Sequence, residues 1–398
     1  MSPRTIMTIY GTRPEAIKVA PIIQALESSA DFTPVVVSTG QHRDMLEQVQ
    51  EIFHIRPDYE LDIMQPGQGL NQIAQKIMGG LDRVLQEQKP AAIIVQGDTT
   101  SALYGALAAF NLQIPVVHME AGLRSGDLAS PFPEEGNRKL ISQIASLHLA
   151  PTDSARRNLL HEGVGQSDIR VTGNSVIDAL LSVVERGQPS NQQDIEGVLN
   201  SGRRIIVVTS HRRENYGRPM ENIGRALARL AQSYPTDLFV FPAHKSPATR
   251  QTILPLLEDL PNLMVIEPLD YQEFIWLLEA SYLVLTDSGG LQEEAPSLGK
   301  PVLVLRETTE RPEAVEAGTV LLVGTGEEDI VAEASKLLDS EDTYRAMAVA
   351  TNPYGDGKAA ERTVQALSFF LGLTDSEPEE FAVGLAPETF GVNDGFTG

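Results

Sequence analysis

The chain has 398 residues, 42% of them hydrophobic and 21% charged, the composition of an ordinary globular protein long enough for two or three domains. The absence of cysteine excludes disulfides and thiolate metal sites, and a net charge of -23 disfavours nucleic acid or an anionic membrane as partner. No apolar run approaches the roughly 18 residues of a membrane span, and the opening MSPRTIMTIYG lacks a secretory pattern, so a cytoplasmic setting is the default expectation.

Taken in chain order, short β-branched runs at Thr5–Tyr10, Pro34–Ser38, Ala91–Val95, Pro115–Met119 and Leu147–Ala150 read as buried parallel strands. Amphipathic stretches such as Pro14–Ser28 and Ser101–Asn111 lie between them. The alternation restarts after Val171 with strands expected at Arg204–Thr209, Leu238–Phe241, Leu263–Ile266, Leu283–Thr286, Pro301–Leu305 and Val320–Val323. Strands alternating with helices indicate parallel sheets covered on both faces. Two successive sets give an α/β protein of two doubly wound Rossmann-like domains, residues 1–172 and 173–358, with a hinge near Val171–Ile177. Pro14 suits the first helical position, Glu15 adds charge to the first turn, and Gly163 and Gly299 are placed to stop helices. A helix is expected over 359–373. Residues 374–398 hold six acidic side chains and no Lys or Arg, and read as a disordered tail.

Ligands of open parallel sheets bind beyond the carboxyl ends of the strands, so the loops there carry the information. In the first half these are Gly11–Glu15, Gly97–Thr100 and His118–Gly122; in the second, Ser210–Asn215, Pro242–His244 and Asp287–Gly290. Gly11–Glu15 lacks the GxGxxG pattern of a dinucleotide site. Arg13 and Lys18 are placed to turn two cations toward one cleft, although solvated surface charges fit the spacing as well. Asp287-Ser288-Gly289-Gly290 is more specific: two glycines between a strand and a helix let an anion approach backbone N–H groups. Ser288 is a further donor, Glu294 an acceptor for ribose hydroxyls, and Arg311 a phosphate clamp. Glu134 and Arg138 are spaced to share a helix face, and His118 and Glu120 to share a strand side. Of seven histidines, His54, His148 and His161 read as structural. No ligand spacing such as HExxH appears, so no metal is expected.

Together these loops resemble the bacterial non-hydrolysing UDP-N-acetylglucosamine 2-epimerases. The motifs are Gly11-Thr12-Arg13-Pro14-Glu15-Ala16, Gln41-His42-Arg43, Gly97-Asp98-Thr99-Thr100, His118 through Arg124, Pro133-Glu134-Glu135 through Arg138, His211-Arg212-Arg213-Glu214, Thr286–Pro296 and Asn352 through Gly357. They run in unbroken order from about Ile6 to Leu371. The resemblance implies domains facing across a cleft (GT-B-like), a last helix that crosses back onto the first domain, a homodimer, and no cofactor. By similarity Arg13, Lys18, Phe274, Ser288, Gly289, Gly290, Glu294 and Arg311 bind UDP-N-acetylglucosamine or UDP, with Phe274 lining the uridine pocket. Asp98, Glu120, Glu134 and His211 match the catalytic positions, with Arg138 close by. Gln41, Arg212 and His244 match an effector site for a second substrate molecule. Ser210, the Pro242–Pro247 run, Asp44 and Gly67 depart from the family pattern, which bears on that regulation and not on the chemistry.

The implied reaction reversibly inverts carbon 2 of UDP-N-acetylglucosamine to give UDP-N-acetylmannosamine for cell-surface polysaccharide. It passes through UDP and 2-acetamidoglucal. Which carboxylate is acid and which is base stays open, as do a hydrolysing epimerase, a UDP-sugar glycosyltransferase and a regulator without catalysis.

Overall fold

The computed structural model describes residues 2–41, 43–65, 67–187 and 195–383, with backbone only for 43–45. His42, the Asp44 side chain and the tail beyond 383 lie outside the described residues. The chain divides into two units, Met1–Ala179 with Tyr354 onward, and Leu180–Pro353. The divisions thus fall some residues away from 172 and 358. The helix Ser175–Arg186 runs through the expected hinge. On the return, the Asn174 amide donates to the Tyr354 carbonyl at 2.7 Å, which fastens that segment to the first unit.

The first unit is built on a seven-stranded sheet: β1 (Arg4–Tyr10), β2 (Phe32–Ser38), β3 (Tyr59–Glu60), β4 (Ala92–Gln96), β5 (Val116–Met119), β6 (Leu147–Ala150) and β7 (Ile169–Val171). Every pairing is parallel, and the spatial order is β3-β2-β1-β4-β5-β6-β7. Successive side chains alternate between faces. Met7, Ile9, Ile93 and Val95 therefore enter one core, while Ile6, Ala92 and Ile94 enter the other. A strand apolar on both faces has no stable place at a surface, which is why these runs form the centre of the sheet.

The helix Arg13–Ser28 covers the second of these cores, and the helix Ala359–Phe370 packs against it. Ala360, Ala366 and Leu367 share a cluster with Ile6, Ile22 and Leu26. The returning helix is capped from within the unit. Buried Asp178 accepts from the amides of Ala359 (3.2 Å) and Ala360 (2.8 Å), and burial pushes its carboxyl up to about 6.

The stretch just beyond that helix is not free chain. Phe381 sits in an apolar cluster with Ala121, Ala150, Ala155, Leu159, Ile169 and Val171. Its amide donates to the Val171 carbonyl at 2.8 Å, and Glu380 accepts from the Val171 amide and pairs with Arg156. The expectation of a disordered tail from 374 therefore fails for residues 374–383. One buried aromatic and one ion pair outweigh the acidic composition, and they cover the edge strand β7.

The second unit holds a six-stranded sheet: β8 (Ile205–Thr209), β9 (Leu238–Pro242), β10 (Leu263–Ile266), β11 (Ser281–Thr286), β12 (Val302–Val304) and β13 (Val320–Leu322). It too is parallel, in the order β10-β9-β8-β11-β12-β13. Its core joins Ile206, Val208, Phe239, Phe241, Leu283, Leu285 and Leu303 to covering helices such as Arg218–Ser233. Strand order reverses between β1 and β4 in one unit and between β8 and β11 in the other. Such switch points leave a crevice beyond the strand ends, and they set where the functional loops meet. Among the described residues no helix is long and apolar enough to cross a membrane.

Candidate functional site in two halves

In the first unit the loops after β1 and β4 are stapled by Glu15. Its carboxylate accepts from the Gly11 amide (3.0 Å), the Thr12 amide (2.7 Å) and Thr99 Oγ1 (2.6 Å). That first-turn charge is 3% exposed, and burial pushes it up to about 7 against those hydrogen bonds. Gly11 has no alternative: a Cβ there would lie 2.2 Å from both Ser101 Oγ and Thr39 Oγ1. Gln41 reaches the same cluster, accepting from Ser101 Oγ at 3.3 Å. Arg13 opens the helix at this rim and is partly exposed.

Asp98 follows a left-handed Gly97 (φ 66°). His118 holds that turn through Nε2, 2.7 Å from the Gly97 carbonyl, and burial pushes the imidazole down to about 3, so it is neutral and Nε2 is the donor. Asn137 Nδ2 donates to the Asp98 carbonyl at 2.7 Å. Arg138 then pairs with the Asp98 carboxylate at 2.5 Å and with Glu135 at 3.2 Å. The i, i+4 spacing had pointed to Glu134 as the partner of Arg138, but the helix Glu134–Ile144 begins at Glu134 and brings Glu135 onto the guanidinium. Burial opposes the Arg138 charge, but Asp98, Glu135 and Glu120 outweigh it and its pKa is raised. Glu135 is buried, yet the Ser125 and Gly126 amides and Arg138 hold it below the usual carboxylate range. Glu134 itself is partly exposed at the helix start.

Glu120 does not share a strand side with His118. It lies just past β5 with φ 58°, a left-handed backbone rarely adopted by residues other than glycine. That turn sends its side chain to Lys18, to Gln96 Nε2 (2.6 Å) and to Asn174 Nδ2 (3.2 Å). Lys18 thus pairs with a candidate catalytic carboxylate, in addition to any role on substrate. Gln96 and Asn174 escaped the sequence reading because neither is charged; their positions at the end of β4 and just past β7 were the available signal.

In the second unit Asp287 plays the part of Glu15. It is wholly buried and gathers the loop after β8. It accepts from Ser210 Oγ (3.0 Å), the His211 amide (2.9 Å), the Arg212 amide (2.9 Å) and Asn215 Nδ2 (3.0 Å). Read from sequence, Asp287 was part of a glycine turn; its role appears only once β8 and β11 are neighbours. His211 Nδ1 also lies 3.4 Å from Asp287, and the ring stacks on His244 at 5.4 Å. Burial, with His244 and Arg212, lowers the His211 pKa against the pull of Asp287, so the imidazole is neutral near pH 7.

Beside it the turn Ser288–Gly290 is roofed by Arg311. Arg311 Nε meets Glu293 at 2.6 Å and Nη1 meets Glu310 at 2.8 Å. A Cβ on Gly289 would lie 2.6 Å from Nη1, so glycine is what lets the guanidinium lie on the turn. The Ser288 amide is already committed to Thr286 Oγ1 at 2.9 Å, which removes one of the expected anion donors. Glu294 is buried and accepts from the Tyr271 hydroxyl at 3.3 Å; Phe274 lies on the same helix as Tyr271 and is partly buried. Arg212 lies 3.6 Å from Glu310. Among the described residues no group of three His, Asp or Glu side chains could hold a metal ion.

Two parallel α/β sheets, each with its polar loops gathered at the switch point by a buried carboxylate, define a protein of the GT-B-like class of doubly wound folds. The family profile described as UDP-N-acetylglucosamine 2-epimerase matches residues 24–368. The UDP-N-acetylglucosamine 2-epimerase of Salmonella typhimurium is 50% identical over 370 residues, covering 92% of this chain and 98% of the relative. The crystal structure of the Neisseria meningitidis UDP-GlcNAc 2-epimerase bound to UDP-GlcNAc matches with a TM-score of 0.83 at 46% identity, covering 91% of this chain and 99% of that one. That of the Methanocaldococcus jannaschii UDP-GlcNAc 2-epimerase in complex with UDP-GlcNAc and UDP matches at 0.75 and 35%, covering 92% and 99%. The chain belongs to the UDP-N-acetylglucosamine 2-epimerase family.

Proposed function

We propose that the protein reversibly inverts carbon 2 of UDP-N-acetylglucosamine, giving UDP-N-acetylmannosamine without releasing free sugar. The observation that carries this reading is the pair of carboxylates at one switch point, Asp98 and Glu120, each held by a cation, Arg138 and Lys18. Relatives with bound UDP-GlcNAc and UDP support the choice of ligand.

The hydrogen on carbon 2 has no adjacent carbonyl and is not acidic. Its removal becomes feasible when the C1–O bond to UDP breaks at the same time. A base takes the proton, the C1–C2 double bond forms, and UDP leaves with the bonding pair. UDP then adds back to carbon 1 of 2-acetamidoglucal as a proton arrives on the opposite face of carbon 2. A cation partner holds a carboxylate in place beside the reacting carbon, and on that ground Asp98 and Glu120 are the candidate proton acceptors, one for each direction of the reversible reaction. Glu134, at the start of its helix, is left to return one. The departing diphosphate needs preorganised positive charge and donors, each worth about 3 kcal/mol. Arg13, Arg311, the Gly289 and Gly290 amides and neutral His211 supply them. Gln41, Arg212 and His244 are the candidate effector contacts for a second UDP-sugar, and the product would feed cell-surface polysaccharide.

The test is one incubation with UDP-N-acetylglucosamine alone in D₂O, followed by NMR. UDP-N-acetylmannosamine carrying deuterium at carbon 2 is the expected outcome. Product that keeps its original hydrogen would end the elimination mechanism. Free sugar as main product would select the hydrolysing reaction, and no change without an acceptor would point to a glycosyltransferase or to a binding protein without catalysis.

A further inference from the structure

Gln96 ends β4 at the switch point and is 2% exposed. Its amide orientation is fixed by chemistry. Glu120 Oε2, 2.6 Å away, accepts and does not donate when ionised, so the NH₂ group faces it. This leaves Gln96 Oε1 buried without a hydrogen-bond partner. Burying an amide acceptor unpaired is destabilising, and methionine would fill the same volume without that penalty. The residue is therefore explained by its donor and not by its packing.

Glu120 has need of that donor. Its left-handed backbone is costly unless the surroundings impose it, and only side-chain contacts can then fix where the carboxylate lies. Asn174 Nδ2 and Lys18 grip Oε1 while Gln96 grips Oε2, so each oxygen has its own anchor. Behind them Gln96, Glu120, Asn174, Thr172 and Thr363 bound a cavity of about 10 Å³, room for one water at most.

We propose that Gln96 is a positioning residue for the reaction, holding Glu120 ionised and in one rotamer. The inference rests on the reading of Glu120 as a proton-accepting group. The other charged or titratable groups facing Glu120 are Lys18 from the helix Arg13–Ser28, Arg138 with its partner Asp98, and the neutral His118 on β5.

Two variants of the full chain test it. Gln96→Met keeps the volume and removes the donor. Gln96→Glu sets a second carboxyl against Glu120, and the two must share a proton. For Gln96→Met we expect kcat to fall roughly tenfold with KM changed less than about threefold, and the acid limb of the kcat–pH profile to move up by about one unit. Gln96→Glu is expected to move that limb further. A structural role alone would lower melting temperature and leave the limb in place. Carboxyl-selective ¹³C NMR, with Glu120→Gln to assign the signal, follows the Glu120 titration midpoint without turnover. An unmoved midpoint in Gln96→Met overturns the inference, as does an unmoved acid limb. A wild-type protein that makes no UDP-N-acetylmannosamine instead sinks the proposed function, and the NMR midpoint still decides the role of Gln96.

Discussion

The two switch points use one device for different ends. At each, a buried carboxylate staples the loops of neighbouring strands: Glu15 ties the loop after β1 to Thr99, and Asp287 ties the loop after β8 to its own strand end. Around Glu15 the functional groups are carboxylates supported by cations, Asp98 on Arg138 and Glu120 on Lys18. Around Asp287 the arrangement inverts. Arg311 is a cation supported by the carboxylates of Glu293 and Glu310, beside a neutral imidazole. Under the proposed reaction one rim moves protons and the other holds an anion. Similar topology thus fixes where chemistry happens, while the sign of the central group decides which chemistry.

The sharpest break in this contrast is Asp98→Asn. It keeps the shape of the first rim and removes one of its two proposed proton acceptors. Turnover is expected to fall by about 10²- to 10⁴-fold while UDP affinity, measured by calorimetry, stays within a few-fold. Unchanged turnover would remove Asp98 from the catalytic set.

On the second rim the matching probe is Gly289→Ala. The added methyl meets the Arg311 guanidinium, which Glu293 and Glu310 hold in place. The guanidinium lies at the end of a long side chain, so the fold should tolerate the change. We expect KM to rise roughly tenfold, about 1.4 kcal/mol, with a smaller change in kcat and little in melting temperature. A variant that lost kcat and kept KM would show that this rim does more than bind.

The remaining test, read in stability and not in turnover, concerns the staples. Glu15 titrates near 4.5 when unfolded and near 7 when folded, so the native state favours its protonated form. Its contribution is full below pH 4.5 and is lost as pH rises toward 7, by roughly 3 kcal/mol at most. Glu15→Gln should flatten the fall in melting temperature between pH 5 and 7, measured by calorimetry. A variant as pH-dependent as the parent would assign that fall elsewhere.

Most of the strands were legible because β-branched runs bounded by turn residues leave few other readings. The exceptions are β3, only two residues long, and β7, whose short apolar run is interrupted by Arg170. The rim loops were legible for the same reason, since a parallel sheet announces where its strands end. Partnership was not. Arg138 joins Asp98, and Lys18 joins Glu120, through contacts made by neighbours in the sheet that are distant in sequence, and Arg138 takes Glu135 rather than Glu134 as its helix partner. Asp287, Glu15 and Gln96 stayed hidden because a buried polar side chain looks in sequence like a turn, a cap or a strand end.

The way the chain returns to its starting sheet has a consequence for biosynthesis. The second unit is one continuous stretch, so it can complete its core while translation is still under way. The first unit lacks Ala360, Ala366, Leu367 and Phe381 until the stretch past the second unit has also left the ribosome. The half made first is finished last. A nonsense codon between Tyr354 and Ala359 would therefore damage the N-terminal sheet, far away in sequence, and leave the nearer one intact.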